Sequence, residues 1–153
     1  MRSILTFSTL LLLSGQALAS GGIWCETEAA PAQIDVHGGV SRGMGGQLFS
    51  FEGKVAIADM TVPEDLRKLE FTREHVAQYW YDNKAVNLVL YRERDADKLF
   101  GSLEITIETT ALEGDDNEGA YAGDYSVMVA YATDDAPEGK QIDLSGKIKC
   151  FAD

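Results

Sequence analysis

The sequence predicts an all-β protein: a single antiparallel β-sandwich or small β-barrel of about eight strands, closed by a disulfide between its ends. Three observations predict it. Leu103-Glu104-Ile105-Thr106-Ile107-Glu108 alternates apolar and polar residues without a fault, the period-two signature of a half-buried strand. Short apolar and aromatic runs recur along the chain, separated by glycine- and acid-rich turn chemistry rather than by helical patterns. Two cysteines, Cys25 and Cys150, lie near the two ends of what remains once an N-terminal leader is set aside.

That leader is residues 1–19. Arg2 supplies a positive start, residues 4–13 form an apolar stretch broken only by Thr6, Ser8 and Thr9, and Ala17-Leu18-Ala19 matches a small-x-small cleavage site. The stretch is about half of the roughly 20 residues a membrane span requires, so no retained anchor is expected. Cys25 follows Gly22-Ile23-Trp24 rather than a small-residue box, which argues against lipid attachment there. Cleavage after Ala19 takes nineteen residues from 153 and leaves 134, residues 20–153, read as one β domain. In an oxidising compartment the two cysteines are expected to pair, closing almost the whole mature chain.

Residues 23–28 and 33–36 are the first candidate strands, followed by Gly38-Gly39, read as a turn. Residues 48–60 form the next. Pro63-Glu64-Asp65-Leu66-Arg67-Lys68-Leu69 then places proline and acids where a first helical turn favours them, so at most one short helix is expected near 63–70. Residues 76–81 are rich in β-favouring aromatics, and Asp82-Asn83-Lys84 turns the chain into 86–91, apolar enough for a central strand. Residues 103–108, 121–132 and 141–151 complete the set, separated by acidic turns at 113–117 and 134–139.

Thirteen Lys+Arg face 25 Asp+Glu, a formal net charge of −12 that becomes −13 when Arg2 leaves with the leader. Such a balance excludes nucleic-acid binding, which needs clustered cations, and disfavours anionic membrane surfaces. The search for chemistry returns little. His37 and His75 are the only imidazoles, and there is no G-x-S-x-G elbow and no C-x-x-C pair. His37 reads as a loop residue and His75 as a strand start. No cofactor, no metal and no catalytic residue is expected. The acidic turn at 113–119 lacks the alternating ligand frame of a calcium loop.

Binding features are easier to find. The segment 38–46 holds five glycines, with Ser41, Arg42 and Met44 as its handles, and suits a recognition loop. Asp115, Asp116 and Glu118 in the acidic turn create a negative field that would steer a basic partner. Tyr79-Trp80-Tyr81 puts rings on both faces of one strand, and Tyr121, Tyr125 and Tyr131 recur on one face of another. Tyr121 and Tyr125 join Ser41, Arg42, Met44, Asp115, Asp116 and Glu118 as candidate partner-binding residues.

The exported acidic frame with Cys25 and Cys150 carries a resemblance, together with Gln78-Tyr79-Trp80-Tyr81-Asp82, Leu88-Val89-Leu90-Tyr91-Arg92-Glu93 and Glu118-Gly119-Ala120-Tyr121-Ala122-Gly123-Asp124-Tyr125. On these residues the chain resembles small periplasmic β-proteins of Gram-negative bacteria that inhibit lysozyme-type muramidases and lytic transglycosylases. The resemblance implies a periplasmic inhibitor that occludes the cleft of a basic peptidoglycan hydrolase and performs no chemistry. The inhibitory loop of that family, a Ser-Gly…Tyr segment, has only Ser41-Arg42-Gly43 as a loose counterpart here. Two other readings stand beside it: a β-barrel carrier of a small molecule or lipid, and a structural envelope protein.

Overall fold

The computed structural model describes residues 20–27, 31–41, 48–114 and 117–153; the expected leader lies outside them. Nine strands form one antiparallel sheet: β1 (Ser20–Glu26), β2 (Ala32–Ser41), β3 (Leu48–Ile57), β4 (Lys68–Thr72), β5 (Val76–Tyr81), β6 (Ala85–Glu93), β7 (Gly101–Ala111), β8 (Ala120–Thr133) and β9 (Ala136–Ala152). Their order is β4-β3-β2-β1-β9-β8-β7-β6-β5, so strands pair with their sequence neighbours except β4 with β5, and β9 returns to β1. The sheet curls into a nearly closed barrel, the second of the two architectures the strand pattern allowed.

Closure rests on two devices. The first is the β1–β9 pairing, in which Cys25 faces Cys150 and the two form a disulfide. The second is a broken strand. Alternation of direction around the sheet makes β4 and β5 run the same way, with β4 bonded to β3 and β5 bonded to β6. The pair acts as one long strand that changes partners at the 3-10 turn Arg73–His75. Counted so, the barrel has eight staves. The half-strands left facing each other are bridged by arginines: Arg73 Nε donates to the Leu48 carbonyl at 3.2 Å, and Arg92 donates to the Glu70 carbonyl.

The interior is filled by the inward set of each strand. Leu88 and Leu90 of β6, Leu103, Ile105 and Ile107 of β7, Val127 and Val129 of β8, Ile34 and Val36 of β2 and Ile148 of β9 are all buried. Tyr121, Tyr125 and Tyr131 do share one face of β8, and all three point inward. Tyr125 lies over Gly146, where an added Cβ would stand 2.8 Å from the ring, and its hydroxyl meets both backbone groups of Ala32 at 3.3 Å. One phenol thereby ties β8 across β9 and β1 to the start of β2.

Several boundaries differ from expectation. Gly38-Gly39 is not a turn: β2 runs on to Ser41, with a register shift between His37 and Gly39. A Cβ on Gly38 would press on Leu48 and Phe51, and one on Gly39 would collide with the Phe49 ring, so the glycines make room for β3 side chains. His37 accordingly lies on a strand, exposed, 3.6 Å from Glu52. His75 belongs to the 3-10 turn, where its Nδ1 accepts the Thr72 amide at 2.9 Å. The helix expected near 63–70 is one turn, α1 (Glu64–Arg67), and Lys68–Thr72 goes into β4. The acidic stretch at 134–139 is a two-residue hairpin turn, Asp134-Asp135, after which β9 begins at Ala136.

The two barrel ends are unlike. At one end α1 and the segment before it lie across the opening. Val62 and Leu66 are sealed at 1% exposure, Tyr131 donates to the Thr61 carbonyl at 3.0 Å, and Arg94 pairs with Asp65 at 3.0 Å. That end is a base. Among the described residues the other end has no such cover. No helix among the described residues is long and apolar enough to cross a membrane.

Candidate binding site at the open end of the barrel

Strand ends fix this site. β2 ends there at Ser41, β3 begins at Leu48, β5 ends at Tyr81, β7 ends at Ala111, β8 begins at Ala120 and β9 ends at Ala152. Together they surround a cavity of about 1690 Å³. That exceeds the roughly 300–1,000 Å³ typical of small-molecule sites, as expected of a cup open to solvent.

Aromatic residues dominate the side formed by β5 and β8. Tyr79 and Tyr81 are half-buried on the inner face of β5, and Trp80 between them is 61% exposed at the rim. Tyr121 is buried beside them, its ring edge-on to Tyr81 with centroids 6.4 Å apart, and its hydroxyl donates to the Asp82 carbonyl at 3.2 Å. Burial, and after it the neighbouring Tyr81, pushes the Tyr79 and Tyr121 phenols above their ordinary range. Both phenols are neutral at physiological pH.

Polar groups occupy the rim. Asp82 Oδ1 accepts the backbone amides of Lys84 at 2.7 Å and Ala85 at 2.9 Å, an Asx turn that sets the β5–β6 hairpin. Those amides, Lys84 first, hold its carboxyl below the usual carboxylate range. Glu118 is exposed at the entry to β8, and Asp153 accepts the Gly22 amide. Arg73, from the strand break, is the one cation among the described lining residues.

The arrangement brings together part of what the sequence singled out. Ser41, Glu118 and Tyr121 line the cavity. Tyr125 is 2% exposed below it, spent on its bonds to Ala32. Arg42, Met44, Asp115 and Asp116 lie outside the described residues. Leu48, Arg73, Asp82 and Asp153 are lining residues that sequence reasoning missed. The aromatic triplet running straight into Asp82 was the available signal, since a strand that ends in a turn puts its last rings at a rim; Arg73 and Asp153 carry no local signal. Among the described residues no group of three or more His, Cys, Asp or Glu is placed to hold a metal ion. Comparison of the chain with family models, with curated proteins and with solved structures gives no match.

Proposed function

We propose that this is an exported binding protein of the periplasm, not an enzyme, whose open barrel end receives an apolar or aromatic group of a small molecule or lipid. The asymmetry of the two ends carries this reading. The base is plugged by Val62 and Leu66, while among the described residues the mouth leaves the half-buried inner-face rings of Tyr79 and Tyr81 beside a cavity of about 1690 Å³. A barrel with no such purpose gains by filling both ends, because aromatic surface left beside water forgoes about 25 cal/mol per Å². Disulfide closure supports export and gives a rigid rim that needs little ordering on binding.

One observation favours the cleft-occluding inhibitor as a second reading. Ser41, which opens the connection to β3, and Glu118, which ends the acidic connection to β8, stand at the same mouth as Trp80. Exposed aromatic and acidic groups gathered at one end suit contact with a basic hydrolase.

Native mass spectrometry of the protein, gently purified from an envelope extract, separates the two. A co-purifying small molecule supports the carrier. A bound peptidoglycan hydrolase, together with slowed lysis in a turbidity assay at micromolar protein, supports the inhibitor and overturns the carrier.

A further inference from the structure

We infer that the mouth selects cationic amphiphiles: molecules pairing an apolar chain or ring with an ammonium or similarly diffuse positive head. The inference rests on the proposed ligand-binding role of this end and names the class of ligand it takes.

Two features of the cavity wall converge on that class. The first is its aromatic side. Tyr79 and Tyr81 present ring surface at half-buried positions with buried Tyr121 behind them, and Trp80, on the alternate face of β5, is exposed at the rim. A ring face is the negative part of an aromatic quadrupole, and indole is the best of these surfaces for a cation. The Tyr79 and Tyr121 phenols do not compete by ionising, since burial pushes both above their ordinary range.

The second is the sign of the rim. Asp82, Glu118 and Asp153 face Arg73 alone among the described lining residues. Asp82 accepts the amides of Lys84 and Ala85, and Asp153 the amide of Gly22 on β1, which fixes their position without neutralising their charge. Arg73 is partly committed too, its Nε directed at the Leu48 carbonyl across the seam. Of the described lining residues, an anionic head entering the cup would meet three carboxylates at the rim and ring faces inside, with one engaged guanidinium to offset them. A cationic head meets complementary charge on entry and π surface after it, and its apolar part covers the rings. The whole-chain charge of −12 adds long-range steering of the same sign.

The test is isothermal titration of the mature protein at low salt with three ligands sharing one ten-carbon chain, decyltrimethylammonium and decyl sulfate below their micelle concentrations and decanol below its solubility limit. The expected result is one saturable site for decyltrimethylammonium, at least about fivefold tighter than for the other two, as cation–π and rim charges together supply. Tryptophan emission should change with the same midpoint. Glu118→Gln should weaken the cation about two- to fivefold, more than it weakens decanol. Equal or tighter binding of decanol or decyl sulfate would overturn the charge selection while leaving the ligand-binding role standing. Absence of saturable binding by all three would overturn both. Many weak sites for the cation, unaltered by Glu118→Gln, would mark surface adsorption and overturn the inference as well.

Discussion

At the residue scale the barrel depends on phenols placed where backbone groups lack a strand partner. Tyr125 satisfies both the amide and the carbonyl of Ala32, and Gly146 gives its ring the space to reach them. Tyr125→Phe should therefore cost about 1–3 kcal/mol in urea unfolding, because the buried Ala32 amide loses its acceptor while the carbonyl keeps the Thr27 hydroxyl at 3.0 Å. Gly146→Val should cost at least as much by displacing the same ring. The mouth makes a second residue-level prediction through Asp82. Its folded carboxyl titrates below the ordinary aspartate range, so the stability it contributes is present above the unfolded pKa and lost as pH falls through the folded one. NMR titration should give Asp82 a midpoint below about 3.9, and the stability gap between wild type and Asp82→Asn should narrow as pH drops below about 4. Tyr79 and Tyr121 act at the other extreme. Stability from their raised phenols is present below pH 10 and lost as pH rises through their folded values.

At the element scale the noteworthy parts are the break between β4 and β5 and the plug made by α1. Period-two alternation makes β6, β7 and β8 legible in the sequence, because a strand with one buried face must alternate. The terminal cysteines implied that first and last strands are neighbours, and β1 and β9 are. Gly38-Gly39 misled, because a glycine pair signals a turn locally while here it admits Leu48 and Phe49 from the facing strand. Lys68–Thr72 was hidden for a related reason. Five residues following a helix start carry too short a pattern, and their strand character comes from pairing with β3. The plug is testable alone. Leu66 is sealed inside the base, so Leu66→Ala should cost about 2–5 kcal/mol in thermal or urea unfolding while leaving binding at the opposite end unchanged.

For the whole molecule, closure decides both stability and site. Cys25 and Cys150 are 125 residues apart in sequence, so their bond restrains nearly the entire described chain. Reduction, or the double change Cys25→Ala with Cys150→Ala, should lower unfolding free energy by about 3–5 kcal/mol. Closure is also why the site was only partly readable. The Tyr79-Trp80-Tyr81 triplet advertised itself, but Ser41, Arg73, Glu118 and Asp153 come together only when eight staves meet in a ring. Charge, by contrast, was legible from composition, and the acids at the rim give it a location. Everything proposed for this protein depends on the open end, and no other surface, holding a ligand. Fluorescence titration with the neutral probe N-phenyl-1-naphthylamine is the sharpest check, comparing wild type, Tyr79→Ala and Trp80→Ala at the mouth with Met60→Ser, 77% exposed near the base. One saturable site is expected, weakened about tenfold or more by either mouth change and untouched by Met60→Ser. Binding that survives both mouth changes in folded protein, or no saturable binding at all, would refute a ligand site at the mouth.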